Sequence, residues 1–271
     1  MLNRIVCSTV LLISSHFFVN AQQSNNIQEN AALNIVEFIE TSYTPTYDCP
    51  TAALNSRIDE KLTLTNLTEH ETLQLTSMKT HGLICAGKTE DAEILLQRLL
   101  ADENADRSAR YYLSAVFQYG FIYDLKENPE RCDYYMLARD SSKNKFVDVH
   151  LSASLGFITE CIINDVNKQV FGLSQLLEST TKMDDNAALA HAYNRMGLFY
   201  SNRKQNRLAA AQYLKAYETG KDIYTLDNSL SILGGAMTAL TASGDMVAVK
   251  DVLDKFVNIY ANKEINNEAI S

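Results

Sequence analysis

The sequence is poor in the residues that interrupt helices. Its 271 residues include only three Pro and ten Gly, and there is no Trp. Because Pro and Gly are the residues that most often interrupt regular secondary structure, their scarcity in a long chain favours a helical fold. The hydrophobic share of 46% and the charged share of 21% are ordinary for a folded protein and allow a sizeable core.

Basic residues are fewer than acidic ones, 24 against 33, which gives a formal net charge of −9. An acidic chain repels phosphate groups, so we expect no nucleic-acid partner. Beyond the first segment, no run of about 18 residues is apolar without interruption. The nearest approach, residues 231–249, contains Asp245 and scattered Ser and Thr. The sequence therefore predicts no membrane span in the mature chain.

The start of the chain differs from the rest. Arg4 gives a positive beginning, residues 5–19 are mostly apolar, and small residues stand at the two positions read by a signal peptidase. This pattern predicts a signal peptide over residues 1–21, with cleavage before Gln22. An uncleaved membrane anchor is the alternative, but the apolar run is short for one. We expect residues 22–29 to be disordered and the protein to be periplasmic or secreted.

Four cysteines follow the predicted cleavage site: Cys49, Cys85, Cys132 and Cys161. An even number of cysteines in an exported chain suggests two disulfides, and their pairing is open at this point. No Cys-x-x-Cys motif and no Cys/His cluster with metal-ligand spacing is present. We therefore expect no metal and no cofactor.

Apolar residues recur with helical spacing from about residue 30 onward. Short polar turns divide this stretch into helix pairs at residues 68–100, 105–141, 146–180, 186–220 and 226–261. Short connections favour antiparallel neighbours, and a repeat of this length is typical of a solenoid. The sequence predicts an all-α fold, an α-α superhelix of about five to six helical hairpins over residues 30–262, followed by a polar tail at 263–271.

One helix pair resembles the tetratricopeptide repeat (TPR) family. The residues that match the family pattern are Tyr193, Met196, Gly197, Tyr200, Ala209, Tyr213 and Ala216. Small side chains at Gly197 and Ala209 would let the two helices approach to about 8–10 Å. The closing Pro of the family is replaced by Lys221. The resemblance implies a TPR-like repeat domain that binds a protein or a peptide.

The other helix pairs match the family in architecture rather than in motif. Gly87 and Ala92 suit one pair, and Tyr135 and Ala138 suit another. The adjacent Gly234 and Gly235 indicate a close helix crossing. These pairs are predicted to be degenerate TPR-like units.

The cysteines fit this helix layout. Cys49 precedes a second helix of a pair and Cys85 ends the next first helix. Cys132 begins a second helix, and Cys161 lies near the end of the following first helix. We predict the disulfides Cys49–Cys85 and Cys132–Cys161, each worth roughly 3–4 kcal/mol. Four free buried thiols are the alternative.

No catalytic constellation is evident. The cluster Glu69-His70-Glu71 suits a solvated helix start better than a ligand set. Asp184-Asp185-Asn186 lacks the Gly and Glu that a calcium loop needs, and a helix N-cap explains it better. There is no Ser nucleophile elbow and no Gly-rich phosphate loop. We expect a protein that is not an enzyme.

The TPR resemblance implies a binding groove lined by first helices. In the best-matching unit the groove residues would be His191, Asn194, Arg195, Leu198 and Asn202. Asn194 and Arg195 suit a peptide carboxylate, because Arg can engage it with two parallel hydrogen bonds. An aromatic groove is the alternative, built from Tyr112, Phe117, Tyr119 and Tyr123. These aromatic residues would otherwise form core between hairpins.

The last helix is predicted to run from Met246 to about Tyr260 with a broad apolar stripe. The stripe consists of Val249, Val252, Leu253, Phe256 and Tyr260. Solenoid ends normally carry a polar cap, and none follows. We expect this helix to be covered by a partner or by a second copy of the chain, and the second case would be self-association. The alternative is that the chain is a fragment.

The architecture also resembles the periplasmic sensory halves of bacterial diguanylate cyclases, which continue into a membrane helix and a GGDEF domain. The leading interpretation is an exported protein- or peptide-binding module, serving as a periplasmic sensory or scaffold domain of a signalling system. The alternative is a receptor for a small ligand that feeds a membrane signalling protein.

Overall fold

The computed structural model describes residues 35–268, and every regular element in that range is an α-helix. The predicted all-α fold is therefore confirmed. The predicted signal peptide and the predicted disordered segment at 22–29 lie outside the described residues.

The helices follow one another with short connections. They are α1 (35–41), α2 (Ala52–Leu62), α3 (Glu69–Cys85), α4 (Thr89–Ala101), α5 (Arg110–Leu125), α6 (Arg131–Ser142), α7 (Val147–Glu160), α8 (Val166–Thr181), α9 (Asn186–Asn202), α10 (Asn206–Gly220), α11 (Leu226–Ser243) and α12 (Met246–Glu268). Each predicted pair is present, from α3–α4 to α11–α12. The one clear difference is α12, which continues to Glu268 instead of ending near Tyr260, because no Pro or Gly interrupts it.

Polar residues fix where several helices begin. The Thr68 hydroxyl accepts a hydrogen bond from the Glu71 backbone N–H at 3.2 Å. In return, the Thr68 backbone N–H donates to the Glu71 carboxylate at 2.7 Å. This reciprocal capping box starts α3. The Asp185 carboxylate accepts from the Ala188 backbone N–H at 3.0 Å. Asp185 is thus the N-cap of α9, as the sequence predicts.

The described residues form two compact units, one up to Ala115 and one from Val116 onward, with the boundary inside α5. In the N-terminal unit, Ile35, Phe38 and Ile39 of α1 are buried in a cluster with residues of α2 and α3. Val36 of the same helix is apolar as well, but it is 47% exposed. The buried positions follow i, i+3, i+4 spacing from Ile35, which leaves Val36 on the outer side.

Two tyrosines organise the C-terminal unit. Tyr135 of α6 packs against Gly120 of α5 and Gly156 of α7, and an added Cβ at Gly156 would lie 2.7 Å from its Cζ. We call this arrangement the first tyrosine pack. The ring replaces a direct backbone contact, since glycine leaves the space that the ring fills.

The second tyrosine pack repeats the arrangement two hairpins later, on α10. Tyr213 of α10 lies between Gly197 of α9 and Gly235 of α11, and a Cβ at Gly197 would lie 2.6 Å from Tyr213 Cδ1. The crossing predicted at Gly197 and Ala209 is thus filled by the Tyr213 ring, while Ala209 itself is fully buried. Of the glycine pair on α11, Gly235 contacts this ring, and a Cβ at Gly234 would meet nothing within 4 Å.

Both predicted cysteine pairs lie at disulfide distance. Cys49 and Cys85 tie the segment before α2 to the end of α3, with their Cα atoms 5.8 Å apart. Cys132 and Cys161 tie α6 to the C-cap of α7, with their Cα atoms 5.7 Å apart. Each link therefore closes the junction between one hairpin and the next.

The predicted apolar stripe of α12 divides between two environments. Val252 is buried, and Val249 and Phe256 pack against the cluster that α10 and α11 share. Leu253 and Tyr260 are instead 45% and 49% exposed. Self-association through this helix stays a prediction. Over the described range, none of the helices combines the length and apolar content that crossing a bilayer requires.

Candidate functional site

A pocket of about 210 Å³ lies between the end of α7 and one face of α9. Its lining residues are Thr159, Glu160, Ile163, Arg195, Leu198, Phe199, Asn202 and Arg203. Two successive first helices of the repeat thus supply its walls. Three of the five groove residues predicted on α9 line it, namely Arg195, Leu198 and Asn202.

The α9 wall follows from helix geometry. Arg195, Leu198 and Asn202 are spaced three and four residues apart, so they share one face of the helix. The neighbouring Gly197 lies against the Tyr213 ring, which fixes the rotation of α9 about its axis. With Gly197 held inward, the three lining residues turn toward the pocket.

The α7 wall is held by backbone contacts at the end of that helix. The Nε2 of Gln169 donates to the Ile158 and Thr159 backbone oxygens at 3.0 and 3.1 Å. The Nη2 of Arg131 donates to the Glu160 backbone oxygen at 3.4 Å. Cys161, the next residue, is bonded to Cys132. The main chain of Glu160 is therefore fixed at the pocket, which this residue lines.

Arg203 is engaged with the protein itself. Its Cζ lies 3.9 Å from the centroid of the Phe199 ring. Its Nη2 donates to Oε1 of Gln169, whose side chain is fully buried. This stacked and hydrogen-bonded arginine closes one end of the pocket and adds positive charge there.

Arg195 contrasts with Arg203. Within residues 35–268 the half-buried Arg195 guanidinium donates no hydrogen bond and joins no ion pair. Its charge is felt by several nearby groups, including His191 one turn earlier. Burial, reinforced by Arg195, lowers the pKa of His191 to about 3, so His191 is neutral at pH 7. A guanidinium with unused donors at a pocket wall suits a carboxylate ligand.

A charged cluster lies behind the α7 wall. Arg131 Nε lies 3.3 Å from Asp124 Oδ1, and the Tyr135 hydroxyl donates to Asp124 Oδ2 at 3.3 Å. Burial raises the pKa of Asp124, and the nearby Glu160 charge raises it further, while Arg131 opposes both. Arg131 therefore pairs with Asp124, and the more distant charge of Arg195 also lowers the pKa of this carboxyl.

The remaining predicted groove residues lie elsewhere. His191 and Asn194 are on α9 but do not line the pocket. Tyr112 belongs to the N-terminal unit and is only 8% exposed. Phe117 packs on Tyr135 with ring centroids 6.0 Å apart. These positions do not contribute to the pocket, and an aromatic groove stays a prediction.

Tyr123 belongs to a small cluster of aromatic rings. Its hydroxyl lies 3.1 Å from that of Tyr119, and both rings meet Tyr134 edge to face. The hydrogen bond with Tyr119, followed by burial, raises the pKa of Tyr123. These rings contact one another within the α5–α6 hairpin, in the edge-to-face arrangement that aromatic pairs favour.

Several lining residues could not be assigned from the sequence. Glu160, Thr159 and Ile163 lie at the end of a helix with no motif of its own. The signal that was available is the adjacent Cys161, whose predicted disulfide places this segment at a junction between hairpins. In the part of the chain that the structure describes, no group of three His, Cys, Asp or Glu residues could hold a metal ion.

Comparison with known proteins supports the fold and leaves the family open. No family model matches the chain. No curated protein matches it either. The structure of BtubC (BKLC) from P. vanneervenii is similar with a TM-score of 0.55 and 13% identity, covering 85% of this chain and 92% of that one.

Two further solved structures are similar to a comparable degree. One is a putative kinesin light chain from Podospora anserina with nearly identical TPR-like repeats, with a TM-score of 0.52, 13% identity, and coverage of 73% of this chain and 99% of that one. The other is a Rap protein in complex with competence and sporulation factor, with a TM-score of 0.52, 12% identity, and coverage of 88% and 78%. The fold is thus that of a TPR-like helical repeat protein. The resemblance to diguanylate cyclase sensory halves stays a prediction.

Proposed function

We propose that this chain is a non-enzymatic module that binds a protein or peptide by holding a carboxylate at Arg195. The observation that carries the proposal is the half-buried Arg195, which lines a pocket and has no hydrogen-bond partner among the described residues. Asn202 lies on the same face and can add a donor to the same carboxylate. Arg203 contributes further positive charge at the pocket end.

The size of the pocket favours part of a polypeptide over a separate small molecule. Pockets for drug-sized ligands are commonly about 300–1,000 Å³. The pocket of about 210 Å³ is smaller and suits a single side chain or chain end. The similar Rap structure, a complex with competence and sporulation factor, supports a binding role for this fold.

The proposed setting is the periplasm or another exported compartment, where the module serves as a sensory or scaffold domain of a signalling system. The two disulfides support this setting, because such bonds persist in oxidising compartments and are rare in the cytosol. The pattern of residues 1–21 also supports this setting, because it predicts a signal peptide.

An array of short peptides with free C-terminal carboxylates tests the proposal, with amidated copies as the comparison. We expect the wild-type protein to bind a subset of the free-carboxylate peptides, and Arg195→Gln to weaken that binding about tenfold or more, since hydrogen bonds to charged groups contribute roughly 1.5–3 kcal/mol. The exposed Arg207 on α10 supplies the control, and Arg207→Gln should bind as the wild type does.

Equal binding of amidated and free peptides would overturn the carboxylate assignment. So would full binding by Arg195→Gln. Circular dichroism of each variant establishes that the helical fold is kept, so a loss of binding can be assigned to the pocket.

A further inference from the structure

We propose that Glu160 makes this pocket selective for a C-terminal residue with a basic side chain. The α-carboxylate would bind Arg195, and the Lys or Arg side chain of the same residue would reach Glu160 on the opposite wall. This inference rests on the proposed function and specifies its ligand.

Two residues of opposite charge, Glu160 and Arg195, line this pocket without pairing with each other. Among the described residues the Glu160 carboxylate accepts no hydrogen bond and has no ion-pair partner. Since half-buried charges are costly without compensation, a ligand with both signs of charge would satisfy the two walls together.

Arg131, which lies beside Glu160, is already engaged. Its Nε lies 3.3 Å from Asp124 Oδ1, and its Nη2 donates to the Glu160 backbone oxygen. After burial, the charge of Glu160 is the next cause that raises the pKa of Asp124, so the two carboxylates are close enough to repel each other. A cationic ligand group beside Glu160 would offset this repulsion.

Apolar side chains also line this pocket, namely those of Ile163, Leu198 and Phe199. Lys and Arg side chains bury their methylene stems against apolar surface and keep the charged end at a polar site. A basic C-terminal residue can therefore contact both charges and this apolar surface at once.

The main chain of Glu160 is held firmly enough to give selectivity. The Cys132–Cys161 disulfide anchors the residue after Glu160, and the Arg131 hydrogen bond holds the backbone oxygen of Glu160 itself. Binding energy is lost when a side chain must first be ordered, so an anchored acid discriminates better than a mobile one.

Isothermal titration with two peptides tests the inference. The probes are acetyl-Gly-Gly-Lys and acetyl-Gly-Gly-norleucine, both with free carboxylates, so that they differ in the terminal cation. We expect the wild-type protein to bind the Lys peptide about tenfold tighter, in line with the contribution of a hydrogen bond to a charged group. In Glu160→Gln this preference should disappear while the norleucine peptide binds as before. The exposed Glu90 provides the control, and Glu90→Gln should keep the preference.

The possible results separate this inference from the proposed function. Equal affinities of the wild type for the two peptides, or an unchanged preference in Glu160→Gln, would overturn the role of Glu160. If other free-carboxylate peptides still bind through Arg195, the proposed function stands. Free lysine has the same carboxylate and ε-ammonium group and an additional α-ammonium group, and binding as tight as that of the Lys peptide would support the charge assignment with an amino acid as the ligand. Failure of every free-carboxylate peptide and of free lysine would overturn both proposals.

Discussion

The two tyrosine packs of the C-terminal unit share one geometry and differ in chemistry. In each, a tyrosine on a second helix lies against glycines of the first helices before and after it. The Tyr135 hydroxyl donates to the carboxylate of Asp124, which is four residues after Gly120. At the Tyr213 ring the nearby polar side chain is the neutral Ser201, which is four residues after Gly197.

The difference shows where the repeat has been adapted beyond packing. Around the first pack, Asp124, Arg131 and Glu160 gather charge beside a disulfide. The second pack belongs to an apolar cluster shared by α10 and α11, and its ring contact with Gly197 fixes α9. Because the pocket takes one wall from each, the first pack supplies its acidic side and the second supplies the position of Arg195.

The largest expected effect comes from removing the covalent link that only the first pack has. Cys132 and Cys161 are 29 residues apart, and a loop of that length is worth roughly 3–4 kcal/mol in the chain-entropy model. We expect the double variant Cys132→Ala, Cys161→Ala to lose about that much free energy of unfolding, measured by urea titration with circular dichroism. It should also weaken peptide binding, because Glu160 loses its anchor.

The other disulfide supplies the matched control. Cys49 and Cys85 close a loop of 36 residues in the N-terminal unit. Replacing both by Ala should lower stability by a similar amount, roughly 3–4 kcal/mol, and leave peptide binding intact. Mass mapping of a non-reduced digest checks the pairing itself, and a Cys85–Cys132 link would contradict this account.

A methyl group added at the glycines tests whether the packs are equivalent. A Cβ at Gly156 or Gly197 would lie 2.7 or 2.6 Å from a tyrosine ring atom, so the ring must move. Overpacking of this kind costs about 1–3 kcal/mol, which outweighs the gain of about 1 kcal/mol in helix propensity. We expect Gly156→Ala and Gly197→Ala to lower Tm by comparable amounts.

Gly234 is the control for this comparison, since a Cβ there would meet nothing within 4 Å. Gly234→Ala should raise the free energy of unfolding by up to about 1 kcal/mol, because only the propensity gain remains. If Gly197→Ala were also stabilising, the ring contact would not be a close one.

The sequence was sufficient for the fold because the fold depends on short-range signals. Gly87 has a φ of 74° and Gly244 a φ of 78°, so each ends a helix at the turn that the sequence predicts. The cysteine pairs were predictable because each lies beside a helix end. The second tyrosine pack was found through its TPR motif, but Tyr213 rather than Ala209 turned out to face Gly197.

The site was predicted only in part, for a different reason. Arg195, Leu198 and Asn202 were found because helical spacing places them on one face. Glu160 and Thr159 lie on another helix and make no periodic pattern with α9. Their approach depends on how α7 and α9 pack and on hydrogen bonds from Gln169 and Arg131, which no local signal encodes.

The smallest expected difference is the one between the losses of stability on removing the two tyrosine hydroxyl groups. Tyr135→Phe leaves the half-buried Asp124 with Arg131 alone, and hydrogen bonds to charged groups are worth about 1.5–3 kcal/mol. Tyr213→Phe removes a hydroxyl whose nearby polar side chain, Ser201, is neutral, and a neutral hydrogen bond contributes at most about 0.5–1.5 kcal/mol. Urea titrations of the two variants at pH 7 should therefore show the larger loss for Tyr135→Phe. Equal losses would mean that the Tyr135 hydroxyl gains nothing from the charge of Asp124, and the two packs would then differ in composition but not in energetics.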